Sequence, residues 1–292
     1  MAQRGVTVAE VAHRLGVAPA TLRTWDRRYG LGPSAHEAGE HRRYTDEDLA
    51  RLAAMRRLVV SGVPPQQAAQ MAKSAPVSVD EPLPLPKFQD REDVVSAIVR
   101  ALDGIDSAFV EALIRREILS AGIIKTWNEI LVPALVLIGK RWEESGTGIE
   151  IEHVFSEIVK RIMRECANEI ESPRNSKPVL LASIGEEHHC LAIHALAAAL
   201  AEENIATLFL GARTPVDALA DMVRKTHPPV VFLWAQLEKN ADYSAMNSLP
   251  ALRPAPRVIL GGPGWQAARV TGATVVDNLF EACELVGSTL GK

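Results

Sequence analysis

The spacing of hydrophobic positions changes at three places along the chain and so divides the sequence into four segments. Residues 1–74 and 89–172 carry apolar side chains at helical spacing, and the second of these segments predicts a four-helix bundle. Between them, the proline-rich residues 75–88 favour an extended linker. Residues 173–292 alternate short apolar runs with helical stretches, which predicts an α/β Rossmann-like, flavodoxin-like domain with a parallel sheet.

Five apolar runs mark the strands predicted for that sheet. They span 179–184, 206–210, 230–234, 257–260 and 274–276. In open α/β sheets, ligands bind in loops beyond the carboxyl ends of the strands. Any binding site in this segment is therefore expected directly after one of these runs.

Composition and charge narrow the class of protein. Of the 292 residues 47% are hydrophobic, but no run of about 18 apolar residues occurs, so we predict neither a membrane span nor a secretion signal. Cys166, Cys190 and Cys283 lack the spacing of a disulfide framework or a metal pair, which favours a cytoplasmic location. Residues 1–75 hold 11 Lys and Arg against 7 Asp and Glu, whereas the whole chain has a net charge of -4. This asymmetry predicts that only the first segment contacts a polyanion.

The first segment has the plan of a helix-turn-helix. Thr7 followed by Glu10 forms a capping box at the start of one helix, and Gly16 supplies the turn at its end. A second helix begins at Pro19 or Ala20. That helix places three arginines near one exposed face, namely Arg23, Arg27 and Arg28.

A wing is predicted after the second helix. Gly39 permits a tight turn, and Arg42 and Arg43 follow it, where guanidinium groups can bind phosphate oxygens with two donors. The predicted partner is double-stranded DNA. The candidate contact residues are Thr21, Arg23, Trp25, Arg27, Arg28, Tyr29, His41, Arg42, Arg43 and Tyr44. For Trp25 and Tyr29 a second role stays open, which is packing of the small core.

These motifs resemble the MerR family over about 70 residues. The resemblance is carried by Val8, Glu10, Val11, Ala12, Gly16, Val17, Thr21, Leu22, Arg23, Trp25, Arg27, Arg28, Tyr29, Gly30, Gly39, His41, Arg42 and Tyr44. It implies a transcription regulator with a winged helix-turn-helix over residues 1–74. The expected fold class is thus multi-domain: this winged helix-turn-helix, a four-helix bundle over 89–172, and the α/β domain over 173–292.

The C-terminal half resembles the cobalamin-binding light sensors of the CarH/LitR type, a branch of the MerR family. In the predicted bundle Trp142 is followed ten residues later by Glu152 and His153, and Glu186 and His188 lie directly after the first strand. The resemblance implies adenosylcobalamin, whose cobalt–carbon bond breaks in light. It implies His188 as the lower ligand of cobalt, with Glu186 beside it. It further implies Trp142 over the adenosyl group, Glu152 in contact with that group, and His153 as the upper ligand after photolysis.

Other positions in this half match the cobalamin pattern or depart from it. Gly261 and Gly262 match the glycine pair along which the nucleotide tail runs, since a backbone without Cβ allows close approach. Leu191 stands where the family has a glycine, and Trp234 lies near the family's small serine. Trp234 is a candidate to line the space where the nucleotide tail would run, and its indole can fill that space itself. We interpret the neighbouring His189 as an ordinary histidine.

Three functions follow from these observations. The first is a transcription regulator whose oligomeric state or DNA binding is set by cobalamin. The second is a MerR-like regulator that needs no cofactor, or that responds to another ligand or a protein partner, because Leu191 and Trp234 alter the pocket. The third, a cobalamin-dependent mutase or methyltransferase, is disfavoured because such enzymes need a catalytic barrel and 292 residues with a DNA-reading head leave no room for one. We predict no enzymatic activity.

Assembly is expected because one small winged domain reads only half a site. Two-fold pairing on a palindromic operator solves this problem, so we predict a homo-oligomer, either a dimer or a tetramer.

Overall fold

The computed structural model describes residues 6–15, 17–34, 43–60, 62–74, 85–266 and 271–291. The contacts of the chain form two compact units. One comprises Met1–Arg116 and Ile130–Glu152, and the other comprises Glu117–Glu129 and His153–Lys292. The central helical segment thus contributes to both units. The division into four segments drawn from the sequence remains a prediction.

The first unit begins with a small helical head, which we define as the described residues up to Ser74. Its elements are β1 (Val6–Thr7), α1 (Val8–Arg14), α2 (Pro19–Tyr29), β2 (Arg43–Tyr44), α3 (Asp46–Val60) and α4 (Pro65–Ser74). The N-cap half of the predicted capping box is present, because Thr7 Oγ1 accepts a hydrogen bond from the Glu10 N–H at 3.3 Å, while the Glu10 carboxylate accepts from Arg14 at 2.6 Å. β1 and β2 pair antiparallel, and one cluster of buried side chains from Val11 to Ala72 forms the core. The head therefore has a hydrophobic core of its own.

The central segment is helical as predicted, with five helices where the sequence predicted four. They are α5 (Arg91–Asp103), α6 (Ser107–Ala121), α7 (Ile123–Thr126), α8 (Val132–Ser145) and α9 (Ile149–Asn168). A π-helical turn, Trp127–Leu131, connects α7 to α8. It lies just before Pro133, whose ring nitrogen has no hydrogen to donate to the preceding turn.

The C-terminal residues form the predicted parallel sheet. Its strands are β3 (Val179–Ser183), β4 (Thr207–Phe209), β5 (Val230–Trp234), β6 (Arg257–Gly261) and β7 (Thr274–Val276), and the helices are α10 (Leu191–Glu202), α11 (Val216–Thr226) and α12 (Leu279–Thr289). The spatial order is β4-β3-β5-β6-β7, and all pairs are parallel. This is the doubly wound arrangement expected for a flavodoxin-like domain.

Strand alternation separates the two faces of the sheet. Leu180, Val231 and Leu233 pack with Leu219 and Val223 of α11 in one core cluster. The alternate positions therefore face the opposite side, where α10 contacts β3 and β4 and α12 contacts β6 and β7. Within the described residues, no helix combines the length and the apolar character that a bilayer crossing requires.

His194 of α10 is a buried polar residue on this second side. It is 3% exposed, its ring meets the Phe209 ring edge-on at 4.8 Å between centroids, and its Nε2 has no hydrogen-bond partner among the described residues. Burial lowers the pKa of His194 to about 4, and the positive charges of Arg164 and Lys160 act in the same direction. The imidazole is therefore neutral in the folded chain at pH 7.

We expect His194→Phe to remove part of the acid sensitivity of the fold. The unfolded chain takes up a proton at this histidine near pH 6.5 and the folded chain only near pH 4, so native stability falls as the pH drops through this window. Between pH 6.5 and 4.5 the variant should lose about 2 kcal/mol less stability than the native chain, because the contribution of this one histidine is removed. Urea unfolding from pH 7 to 4.5 measures it. His188→Gln, a change at an exposed histidine, should retain the native dependence.

Candidate functional site

The second helix of the head presents basic side chains outward from a buried anchor. α2 begins with Pro19 at its first turn and ends at Gly30, whose φ of 63° favours a residue without Cβ. Leu22 and Trp25 are buried in the head core. The exposed side chains of α2 include Arg23, which directly follows Leu22, and Arg27 and Arg28, which lie two and three positions after Trp25. The three arginines predicted for the basic face are therefore accessible to solvent, and the face itself stays a prediction.

The remaining predicted DNA contacts have different environments. Trp25 is 7% exposed and Tyr44 is 1% exposed, so both side chains fill the core and we withdraw them as DNA contacts. Thr21 and Tyr29 are half-buried, and Tyr29 packs against the core cluster. Arg43 is exposed on β2. Gly16, the wing turn at Gly39, and the candidates His41 and Arg42 lie outside the described residues.

The loop between β3 and α10 contains a fully buried carboxylate, Glu187. Its Oε1 accepts hydrogen bonds from the backbone N–H and from Nδ1 of His189, at 2.9 and 2.5 Å. Its Oε2 accepts from the backbone N–H groups of Gln236 and Leu237 and from Nδ2 of Asn240, at 2.9, 3.1 and 3.0 Å. One side chain thus links the loop after β3 to the residues that follow β5.

The ionisation of Glu187 follows from these donors. Burial alone raises the pKa of the carboxyl group, but the hydrogen bonds from Asn240, His189 and Leu237 outweigh it and lower the pKa to about 2. The group is therefore a carboxylate at neutral pH. It accepts from Nδ1 of His189, so in the neutral form of this imidazole the proton lies on Nδ1 and the lone pair on Nε2.

This geometry corrects the pairing expected from the sequence. Glu186 does not orient His188. It is exposed and forms an ion pair with Arg213 at 2.5 Å, while His188 is exposed as well. The oriented pair is Glu187 with His189, a histidine interpreted above as ordinary. In the sequence Glu-Glu-His-His, either glutamate could pair with the histidine two positions after it. Burial of Glu187 decides between the two pairings.

The donor set of this loop suits one axial metal contact. No group of three or more His, Cys, Asp and Glu side chains that could hold a metal ion occurs within the part of the chain that the structure describes. An imidazole held at Nδ1 by a buried carboxylate fits a metal that a corrin ring already holds, because such a metal takes one protein ligand on that face.

The carboxyl ends of β5 and β6 are less open than the glycine pair suggests. Trp234 lies in register between Ser183 and Gly261. A Cβ on Gly261 would overlap the Phe232 ring. At Gly262, where φ is 101°, a Cβ would lie 3.2 Å from Cδ2 of Trp234. It would also overlap the backbone oxygen of Ala235, the residue that follows β5. The protein's own residues therefore occupy the space before these glycines.

The residues expected above the corrin lie on two helices. Trp142 of α8 is 45% exposed, and Glu152 of α9 is half-buried; both belong to the first unit. His153 is exposed and belongs to the second unit, where it lines an open groove of about 670 Å³ along α9 together with Glu157 and Arg161. Their roles toward a ligand remain predictions.

Comparison with known proteins gives family matches for the head and for the central helices. Residues 6–75 match the family model "MerR HTH family regulatory protein", and residues 94–166 match "B12 binding domain". The chain is 28% identical over 276 residues to the HTH-type transcriptional repressor CarH of Myxococcus xanthus, which covers 92% of this chain and 91% of that protein. The chain matches a CarH-type MerR regulator.

Two further relatives add to the comparison. The CarA repressor of Myxococcus xanthus is 25% identical over 262 residues, covering 88% of this chain and 86% of that protein. Among solved structures, the monomethylamine corrinoid protein of Methanosarcina barkeri superposes with a TM-score of 0.53 at 15% identity, covering 68% of this chain and 98% of that one. The last similarity supports the fold of the C-terminal half of this chain.

Glu187→Gln should destabilise this regulator by about 3 kcal/mol, since an amide nitrogen would face donors that now bind a buried carboxylate. Because the pKa of Glu187 is lowered from 4.5 to about 2, its contribution is complete above pH 4.5 and is lost as the pH falls toward 2. Urea unfolding at pH 7 and along this acid range measures both effects. Glu186→Gln, at an exposed ion pair, should cost less than about 1 kcal/mol. Equal losses in the two variants would contradict the central role of Glu187.

Proposed function

We propose that this chain is a cytoplasmic, DNA-binding transcription regulator that contacts its operator through α2 of the head. The supporting observation is the exposed face of Arg23, Arg27 and Arg28 on a helix anchored by Leu22 and Trp25. A rigidly anchored helix of this kind can enter a major groove without losing its own packing. The repressors CarH and CarA, which the chain resembles, are consistent with a regulatory and non-catalytic role.

The charge of the head supports the same partner. Arginine side chains bind phosphate or guanine through two parallel donors, and each phosphate neutralised releases counterions. A single head offers one basic helix, so a palindromic operator and a homo-oligomer, dimer or tetramer, belong to this proposal.

Arg27→Ala should weaken binding of the full chain to DNA about tenfold and reduce the slope of log affinity against log salt concentration by about 1. The probe is a duplex selected by the wild-type chain from random sequences, and fluorescence anisotropy at several salt concentrations gives the affinity. Lys140→Ala removes an exposed positive charge from α8 and serves as the matched control. Equal effects of the two substitutions would exclude α2 as the DNA-reading element.

For the C-terminal half we propose a corrinoid ligand bound through the loop after β3. The supporting geometry is His189, whose Nδ1 is bound to the buried Glu187 at 2.5 Å while 57% of its side chain is exposed. We therefore assign the axial role to His189 and not to His188. Trp142, Glu152 and His153 remain the candidates for the opposite face of the ring. A bound adenosylcobalamin would supply a cobalt–carbon bond that light breaks.

Adenosylcobalamin mixed with the full chain in the dark should co-elute with it in gel filtration and show a shifted corrin absorption spectrum. His189→Ala should abolish the shift because the oriented imidazole is lost, whereas His188→Ala should leave it intact. Circular dichroism of both variants confirms that they are folded. If His188→Ala removed the spectrum and His189→Ala did not, the assignment of the axial residue would be wrong.

A second candidate is a regulator that works without a cofactor. The indole of Trp234 supports it, because this ring packs against Gly262 where a ligand tail would approach. In that case the wild-type chain elutes colourless, binds its DNA equally with and without adenosylcobalamin, in light and in darkness, and Trp234→Ala gains corrin binding. A colourless wild-type chain that still binds DNA rejects only the corrinoid proposal.

A further inference from the structure

The last residue of α5, Asp103, and the three residues that connect α5 to α6 contact two other helices of the first unit. We call Asp103–Asp106 the junction loop. Asp106 Oδ2 lies 2.6 Å from Nε of Arg57 on α3, the third helix of the head. Asp103 Oδ1 lies 2.5 Å from a guanidinium nitrogen of Arg141 on α8. The junction loop is therefore bonded to the head on one side and to the helix that carries Trp142 on the other.

Close packing accompanies the ion pair to the head. A Cβ added to Gly104 of the junction loop would lie 3.2 Å from Cγ1 of Val60, the last residue of α3. A Cβ added to Gly62 would overlap the guanidinium group of Arg100 on α5. These contacts fill the space between the end of α3 and the end of α5. Packing contacts with α5 and the junction loop therefore hold the head in addition to the ion pair.

The backbone of the junction loop is itself constrained. The N–H groups of Gly104, Ile105 and Asp106 donate to carbonyl oxygens in the last turn of α5 at 3.2, 2.9 and 2.9 Å. Ile105 has a φ of 55°, a conformation that a β-branched residue rarely adopts, and it is 81% exposed. Because its side chain is not buried, the backbone hydrogen bonds of the junction loop are what maintain the positive φ of Ile105. A conformation maintained in this way indicates a connection of defined geometry.

The docked head keeps its DNA-reading face available. Arg23, Arg27 and Arg28 are exposed, and the contact with the junction loop is made by α3 instead. From these observations we infer that Arg57 and Asp106 are positioning residues, which set the direction of α2 relative to α8 without touching DNA. The inference rests on the proposed function, because it concerns how the head is presented to an operator.

The positioning role predicts a specific loss. When the contact is broken, a head still folds on its own core and still reads a half-site, but two heads no longer meet two half-sites together. The relevant quantity is the ratio of affinities for the full operator and for the same duplex with one half-site scrambled. In the full chain, Arg57→Glu should lower that ratio roughly tenfold while half-site binding changes little.

Three control variants separate positioning from charge and from folding. Arg57→Lys keeps a cation and should preserve most of the ratio. Asp106→Asn keeps the oxygen that caps the Phe109 N–H at 3.1 Å but removes the charge facing Arg57, so it should lower the ratio. Arg56→Glu has the same charge change one residue away and should weaken both duplexes equally. An unchanged ratio in Arg57→Glu, or an equal drop in Arg56→Glu, would overturn the inference.

A measurement without DNA tests the docking separately. Amide hydrogen exchange of the full chain should become faster at 59–63 and 103–106 in Arg57→Glu, while α1 and α2 keep wild-type protection. Unchanged exchange in these two segments would show that the contact does not hold the head and would refute the inference. If the wild-type chain selected no duplex, the proposed function would fail, and the exchange result would still decide whether the docking contact exists.

Discussion

The C-terminal half depends on the ionised carboxylate of Glu187. A buried negative charge is tolerated only where donors surround it, and here five hydrogen bonds do so. Those donors come from the loop after β3 and from the residues after β5, two strands that are neighbours in the sheet. The same side chain therefore shapes the carboxyl edge of the sheet and orients the exposed ring of His189. The group that this edge offers to a ligand, the His189 ring, is therefore positioned by Glu187.

In the head, too, buried side chains fix the position of exposed ones. Leu22 and Trp25 hold α2 in the core, and the arginines between and after them extend outward as a consequence. The aromatic side chains Trp25 and Tyr44 thus contribute packing, while the basic side chains remain available for a polyanion. The junction loop extends this organisation beyond the head, because it joins α3 to α8 through two carboxylates three residues apart.

Local patterns accounted for most of the fold. The runs 230–234 and 274–276 have the bounds of β5 and β7, and Thr7 caps the start of a helix as expected. Such features depend on neighbours in the sequence, namely on alternation, periodicity and a cap three residues away. The candidate site was anticipated less well. The loop after β3 was located correctly, but the carboxylate and histidine that pair there are Glu187 and His189, one position later than expected.

The amino-acid sequence by itself determined the order of helices and strands, the basic second helix of the head and the MerR-like character of the first 75 residues, because each is a property of short stretches of chain. Only the tertiary structure decided which of two adjacent carboxylates is buried, that Trp234 packs against Gly262, and that Trp25 and Tyr44 face the core. The physical reason is that burial and hydrogen bonding to Glu187 involve residues about 50 positions away, Gln236, Leu237 and Asn240, which no local pattern connects to it.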